Sequence, residues 1–175
     1  FIQEEIYEKF KAAFLERVKG LTVAPPLDQK ARLGAVVSKE HMEKVLGYIA
    51  LAKAEGGTLL AGGNRVQLDG EFANGYYLEP TVFENLSYDC RTNQEEIFGP
   101  VVTLTPFKSE EEVLKMANST QYGLAATIFT QDLSRAHRVA QNLHSGIVWI
   151  NDWLVRDLRT PFGGAKNSGV GREGG

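Results

Sequence analysis

The feature that most constrains the fold is a regular alternation of apolar and amphipathic segments in the second half of the chain. Short apolar runs typical of buried strands are separated by segments with helical periodicity. The strands are predicted near 101–106, 124–130 and 147–150, and the helices over 109–118 and 132–143. This order favours parallel strands joined by helical crossovers. The sequence therefore predicts an α/β fold with a doubly wound, mainly parallel sheet.

Helical periodicity also marks the first half of the chain. One helix is predicted over 4–19, where Gly20 ends it, and a second begins after the N-cap residue Ser38 and runs to about Glu55. The apolar stripes expected on the buried faces of the helices are Ile6, Phe10, Phe14 and Val18; Met42, Val45, Ile49 and Ala52; and Leu133, Ala136, Ala140 and Leu143. In the helix over 109–118, Ser109 and Glu112 form a capping box.

Composition excludes several classes of protein. The chain has 175 residues, of which 43% are hydrophobic, and a net charge of −3, so it is a globular mixture with no charge excess for nucleic acid. No apolar run approaches the roughly 18 residues of a membrane-spanning helix. A single cysteine excludes an internal disulfide and favours a reducing, cytoplasmic location. The three histidines lack zinc-ligand spacing, so no metal site is expected.

A glycine-rich hexapeptide and a single cysteine resemble functional motifs, but the surrounding sequence lacks the other elements that those motifs need. The hexapeptide Gly169–Gly174 matches the letters of a phosphate-binding glycine loop, but a loop precedes it where that motif needs a strand. We therefore expect a glycine-rich turn, and a non-catalytic nucleotide-binding α/β module is kept as an alternative. Cys90 is the only thiol, yet apart from the neighbouring Arg91 little nearby would activate it. Cys90 is not expected to be a nucleophile.

Four motifs, in order along the chain, resemble the NAD(P)-dependent aldehyde dehydrogenase superfamily. They are Glu95–Val101 (EEIFGPV), Asn118–Gly123 (NSTQYG), Ser145–Asn151 (SGIVWIN) and Pro161–Glu173 (PFGGAKNSGVGRE). Either the first or the last could arise by chance, whereas all four in this order hardly could. The resemblance covers essentially the whole chain. It implies that residues 1–175 form the C-terminal portion of a Rossmann-like catalytic domain.

The resemblance also implies the chemistry. Aldehyde dehydrogenases oxidise an aldehyde to a carboxylate through a cysteine thioester, with hydride transfer to NAD, although NADP is not excluded. The nucleophilic cysteine would lie about ten residues before Phe1, and the glutamate base, the oxyanion asparagine and the dinucleotide-binding domain further upstream. No catalytic residue is then expected within residues 1–175. The family also implies a homodimer or homotetramer.

Cofactor contacts are carried over to four residues. Glu96 stands where the family has the glutamate that binds the nicotinamide ribose, because an ionised carboxylate offers two acceptors to two hydroxyls. Phe98 stands where a phenylalanine packs against the nicotinamide. His41 and Lys44 stand where the family has polar residues near the nicotinamide ribose, and the alternative for both is the solvated side of their helix. The alternative for Glu96 is a solvated acid at a helix end, the role expected of Glu95.

Substrate contacts are carried over to the tail after Asn151. Within the family, Trp153–Leu158 most closely resembles the 2-aminomuconic and 2-hydroxymuconic semialdehyde dehydrogenases, whose substrates carry a remote carboxylate. Arg156 is expected to bind that carboxylate, because a guanidinium forms bidentate pairs with carboxylates. Arg159 is the competing candidate, and Leu154 and Phe162 are expected to line the same site.

Two alternatives remain open for the substrate site. Either arginine could instead pair with Asp157 in a solvated loop, where the pair would stabilise little. The substrate could also be another carboxylate-bearing aldehyde or a neutral one.

Overall fold

The computed structural model describes residues 1–175 and divides them into two compact units, Phe1–Phe107 and Lys108–Gly175. The helices of the first unit are α1 (Tyr7–Lys19), α2 (Lys39–Ala54) and α3 (Arg91–Gln94), with 3₁₀ turns at Glu4–Ile6 and Gly70–Phe72. Its strands are β1 (Ile2–Gln3), β2 (Thr58–Ala61), β3 (Arg65–Val66), β4 (Tyr77–Leu78), β5 (Thr81–Glu84), β6 (Val101–Leu104) and β7 (Pro106–Phe107). The elements of the second unit are α4 (Glu110–Asn118), β8 (Tyr122–Gly123), β9 (Ala125–Ile128), α5 (Leu133–Asn142), β10 (Ile147–Ile150) and β11 (Ala165–Lys166). None of these helices is long and apolar enough to cross a membrane.

The first unit contains a three-stranded sheet in the order β2, β5, β6, with β6 parallel and β2 antiparallel to β5. The segment predicted as one strand over 101–106 forms two strands. The first, β6, pairs with β5, whereas β7 begins at Pro106 and pairs in parallel with β1. Proline has no N–H to continue a ladder, which explains the change of partner. Strands β3 and β4 form a separate antiparallel pair.

Helix α2 has the buried face that the sequence predicts. Its four apolar stripe residues are all buried and pack in one cluster with Leu78, Phe83 and Leu86. Phe83 is the residue that β5 contributes to this cluster, and it is fully buried. The helix begins after Ser38, whose hydroxyl accepts a hydrogen bond from the backbone N–H of His41. The cap thus fixes the first turn, which also carries the His41 side chain.

Replacing Ser38 tests this cap. In Ser38→Ala we expect the free energy of unfolding to fall by about 1 kcal/mol, because the N–H of His41 loses its acceptor. Chemical denaturation measures the change, and Ser38→Asp is the matched control because its carboxylate can cap the same N–H. Equal stability of all three proteins would show that the cap contributes nothing.

Two predicted helix faces differ from those observed. In the first helix Ile6 and Phe10 are exposed, whereas Tyr7 and Val18 are buried. A four-residue step advances about 400° around a helix, so a stripe with this spacing drifts about 40° per step, while residues eleven apart nearly coincide. In α5 the buried residues are Ala136 and Val139, and Leu133, at the first position of the helix, is exposed.

The second unit contains the parallel pair expected from the alternating pattern. Strands β9 and β10 pair in register over four residues, and α5 is the crossover between them. Helices α4 and α5 are joined by Arg138, which donates to both carboxylate oxygens of Glu110 at 2.6 and 2.9 Å. The α/β class with parallel pairing is confirmed. The strands form several small sheets, however, and β6 pairs with β5 rather than joining β9 and β10 in one continuous sheet.

Candidate active site

Glu95 and Glu96 are neighbours in the first unit with different surroundings. The Glu95 carboxylate accepts hydrogen bonds from the Arg91 guanidinium at 2.7 and 3.1 Å and from the Tyr48 hydroxyl at 2.7 Å. Arg91 first, and then Tyr48, lower the pKa of Glu95 to about 2. Glu95 lies at the C-terminal end of α3, as expected, but its carboxylate is paired rather than only solvated. It is a fixed anion that anchors the start of the Glu95–Val101 motif.

The carboxylate of Glu96 is exposed and makes no hydrogen bond or ion pair within the protein. Its backbone is fixed, because Lys44 Nζ donates to the Glu96 carbonyl oxygen at 2.9 Å. A carboxylate on an anchored backbone, with both oxygens available, can accept two hydrogen bonds from a diol.

Phe98 combines an exposed ring with a constrained backbone. Its φ is +57°, a left-handed conformation that a bulky residue rarely adopts, and it is 73% exposed. The Nε2–H of His41 donates to the Phe98 carbonyl oxygen at 2.6 Å, and the two rings meet edge to face at 5.8 Å. These contacts offset the strain and hold the ring at the surface.

The structure brings together all four residues predicted to contact the cofactor. His41 and Lys44 lie three residues apart in α2, hence on one face, and each donates to a backbone carbonyl of the segment from Glu96 to Phe98. The pair thus holds this segment in place. A partner-free carboxylate beside an exposed aromatic ring fits a nicotinamide riboside, which offers a diol and a planar ring.

In the tail of the second unit, the Arg156 guanidinium contacts the Glu173 carboxylate and the Phe162 ring. Arg156 Nη2 donates to the Glu173 carboxylate at 2.6 Å, and the guanidinium lies 4.3 Å from the centroid of the Phe162 ring. Phe162 and Glu173 are joined by two backbone hydrogen bonds of 2.8 Å, one in each direction. Both groups that hold the guanidinium are therefore fixed to each other. The sequence motifs contain Glu173, within Gly169–Gly174 and at the end of Pro161–Glu173, but assign it no role, and its pairing with Arg156 could not be predicted from them.

Arg159, the competing candidate, is already paired. Its guanidinium contacts Asp157 through both Nε and Nη2, and its side chain is 89% exposed. The alternative of an arginine paired with Asp157 thus applies to Arg159 and not to Arg156. Leu154 has a φ of +58° and an exposed side chain, and nearby Trp149 Nε1 donates to the Val155 carbonyl at 2.9 Å.

Close backbone packing anchors the tail. A Cβ atom on Gly146 would lie 1.7 Å from the carbonyl oxygen of Gly163, so only glycine permits this approach next to β10. Arg172 Nη1 donates to the Gly164 carbonyl at 2.8 Å. The Gly169–Gly174 hexapeptide is irregular backbone, with a bend at Val170 and an isolated antiparallel bridge between Glu173 and Phe162.

A cavity that the sequence did not indicate lies at the carboxyl ends of β9 and β10. Its volume is about 550 Å³, and it is lined by Phe129, Thr130, Gln131, Leu133, Ala136, Ile150 and Asn151. Ligands of α/β proteins commonly bind at such strand ends. The lining contains no titratable side chain, so the cavity offers contacts without acid–base or nucleophilic chemistry.

The surroundings of Cys90 do not activate a thiol. Burial first, and then the nearby carboxylate of Glu55, raise the pKa of Cys90. Glu55 also accepts from the backbone N–H groups of Arg91 and Thr92 at the start of α3. Its negative charge is therefore fixed beside the sulfur, where it opposes thiolate formation.

We therefore expect Cys90→Ala in the full-length protein to leave aldehyde oxidation within about twofold of wild type, because an uncharged, poorly activated thiol supplies no nucleophile. Steady-state kinetics, and trapping of the thioester in acid-quenched samples, test this. Cys90→Ser is the matched control, since it keeps the size of the side chain. Disappearance of the thioester in both variants would make Cys90 the nucleophile.

The comparisons with known proteins identify the family of the chain. The model of the aldehyde dehydrogenase family matches residues 1–175. A 2-aminomuconic 6-semialdehyde dehydrogenase of a Pseudomonas species is 51% identical over 175 residues, which are the whole of this chain and 36% of that protein. The 4-trimethylaminobutyraldehyde dehydrogenase A of Danio rerio is 49% identical over 176 residues, covering all of this chain and 35% of the relative.

A solved structure gives the same result. The NAD⁺ complex of an aldehyde dehydrogenase from Bacillus cereus superposes with a TM-score of 0.93 at 42% identity, covering 100% of this chain and 35% of that one. The chain thus spans about a third of the length of the proteins that it matches. With the family model matched from the first residue to the last, the chain belongs to the aldehyde dehydrogenase family.

Proposed function

We propose that the protein containing this chain oxidises an aldehyde to a carboxylate with NAD, and that its substrate is a muconic semialdehyde. The observation that carries the substrate class is the Arg156 guanidinium, stacked on Phe162 and bonded to a protein carboxylate through Nη2 alone. The other N–H groups of Arg156 can bind a second carboxylate. The 51% identity to a 2-aminomuconic 6-semialdehyde dehydrogenase supports the same assignment.

The residues of this chain would position the reactants. When bound, NAD accepts the hydride of the aldehyde carbon. Glu96 would accept hydrogen bonds from the two ribose hydroxyls, and Phe98 would support one face of the nicotinamide. His41 and Lys44 would act on these two residues through their backbone carbonyls and keep the segment from shifting. Such positioning contributes to the rate because hydride transfer needs aligned atoms.

We further propose that residues 1–175 are the C-terminal portion of the catalytic domain. The nucleophilic cysteine and the dinucleotide-binding domain would precede Phe1, and no residue of this segment would act as nucleophile or base. The enzyme would use NAD in preference to NADP, work as a homodimer or homotetramer, and reside in the cytoplasm. The raised pKa of Cys90 supports a nucleophile elsewhere.

Arg156 would bind the substrate at the end remote from the aldehyde. The 2-amino and 2-hydroxy forms of muconic semialdehyde present a carboxylate there, so the same arginine serves both. A trimethylammonium group, as in the substrate named for the relative from Danio rerio, has no oxygen that could accept hydrogen bonds from the open N–H groups of Arg156. The open N–H groups of Arg156 therefore favour a semialdehyde with a carboxylate over one with a cation.

Matched substrates test the proposal in the full-length enzyme. We would compare kcat/KM from NADH formation for 2-hydroxymuconic semialdehyde, its methyl ester and 4-trimethylaminobutyraldehyde. Loss of a charged hydrogen-bonded pair corresponds to a preference of at least about tenfold for the free acid over the ester. Equal values for acid and ester would reject a carboxylate-binding site, and preference for the cationic aldehyde would assign the other substrate class.

A further inference from the structure

Glu173 is an acidic residue in a place where the proposed substrate is also an anion. Its carboxylate lies 2.6 Å from Arg156 Nη2, so the guanidinium is paired before any substrate arrives. The side chain of Arg156 is 36% exposed and that of Glu173 69% exposed. A pair with this much solvent contact is weak, and a second carboxylate can share or displace it.

The pair has two opposing effects on an incoming carboxylate. Glu173 orients the guanidinium, because its own backbone is bonded to that of Phe162, over whose ring the guanidinium lies. This orientation lowers the entropy lost when a carboxylate binds. The negative charge of Glu173, in contrast, cancels that of Arg156 and repels a second anion. One residue therefore both preorganises and weakens the same binding site.

We infer that Glu173 is a positioning residue that sets the affinity of Arg156 for the substrate carboxylate; this inference rests on the proposed function. It holds the guanidinium over Phe162 and keeps the net charge of the pair near zero. A substrate carboxylate then binds through the N–H groups that Glu173 leaves open, and binding is weaker than to an unpaired arginine. The other arginines of the tail are not stacked on an aromatic ring: Asp157 engages Arg159 through two nitrogens, and Arg172 Nη1 donates to the backbone carbonyls of Gly164 and Gly171.

Glu173→Gln separates the two effects in the full-length enzyme with saturating NAD. The amide oxygen of glutamine can still accept the hydrogen bond from Arg156, while the negative charge is gone. We expect KM for 2-hydroxymuconic semialdehyde to fall by about three- to fivefold, which corresponds to the interaction energy of a solvent-exposed ion pair. KM for its methyl ester should stay constant. The acid-to-ester ratio of kcat/KM, in which any common effect on chemistry cancels, should rise by the same factor.

Salt dependence is the second readout, because a merely structural role would not change it. With the counter-charge removed, Arg156 carries a full positive charge, and KM for the acid should rise more steeply between low and high ionic strength than in wild type. Glu111→Gln is the matched control. Glu111 is an exposed glutamate on α4 in the same unit, so this variant removes the same charge without touching Arg156.

The outcomes separate this inference from the proposed function. A higher acid-to-ester ratio in Glu173→Gln, with Glu111→Gln unchanged, supports it. A ratio that stays constant or falls in Glu173→Gln, in an enzyme whose wild type prefers the acid, overturns the role of Glu173 and leaves the substrate class intact. A wild type without preference for the acid rejects the substrate class itself, and the inference with it.

Discussion

Glu96→Gln is expected to slow hydride transfer by about 10- to 100-fold, because charged hydrogen bonds contribute about 1.5–3 kcal/mol each. The variant keeps the shape of the side chain and the backbone bond from Lys44. It loses the negative charge that strengthens both bonds to the ribose hydroxyls. Single-turnover formation of NADH measures the step directly, and dinucleotide affinity should change less than this rate because other contacts hold the rest of the cofactor.

The control for Glu96 removes a charge elsewhere in the first unit. Glu43 lies on α2 and is exposed, so Glu43→Gln changes the net charge without touching the segment from Glu96 to Phe98. We expect its hydride-transfer rate to equal that of wild type. If Glu96→Gln also transfers hydride at the wild-type rate, Glu96 is only a solvated acid, and the cofactor assignment is wrong.

Local features of the fold could be predicted from the sequence because they depend on neighbours in the chain. Helix α2 is the clearest case, since Ser38 supplies a cap and the four stripe residues follow the helical period. The first helix shows the limit of the same method. A four-residue spacing does not follow one face for long, and the choice of Tyr7 over Ile6 depends on which side meets the core.

Contacts distant in sequence could not be predicted. Strand β6 pairs with β5 and not with β9, and nothing in a four-residue apolar run specifies its partner. His41 binds the carbonyl of Phe98 across 57 residues, and Arg156 binds Glu173 across 17. The family resemblance predicts that His41 and Phe98 belong to one site. That His41 donates to a backbone carbonyl is evident only from the structure.

The two neighbouring glutamates illustrate the same division. Sequence motifs assign the cofactor role to Glu96 and leave Glu95 as an ordinary acid. The structure gives Glu95 a role of its own, because Arg91 lies four residues earlier in the chain and Tyr48 reaches it from α2. The pair with Arg91 spans one helical turn and could have been expected from spacing, whereas the bond from Tyr48 could not.

Arg156→Ala is expected to lower kcat/KM for 2-hydroxymuconic semialdehyde by roughly thirtyfold, equivalent to about 2 kcal/mol, and to leave the methyl ester nearly unchanged. The loss lies at the lower end of the range for truncated charge pairs, because the guanidinium is partly exposed and already shared with Glu173. Arg156→Lys should recover only part of it, since an ammonium group cannot form two parallel hydrogen bonds or stack on Phe162 in the same way.

Arg159→Ala is the matched control. It removes a guanidinium three residues after Arg156 that is already hydrogen-bonded to Asp157. It should leave the acid-to-ester ratio of kcat/KM at the wild-type value. If the ratio falls in Arg159→Ala and not in Arg156→Ala, the carboxylate exchanges with Asp157 and the anchor is Arg159. If it falls in Arg156→Ala alone, the geometry around Phe162 determines the substrate class: of the two arginines, only Arg156 is stacked on an aromatic ring and bonded to a protein carboxylate through a single nitrogen.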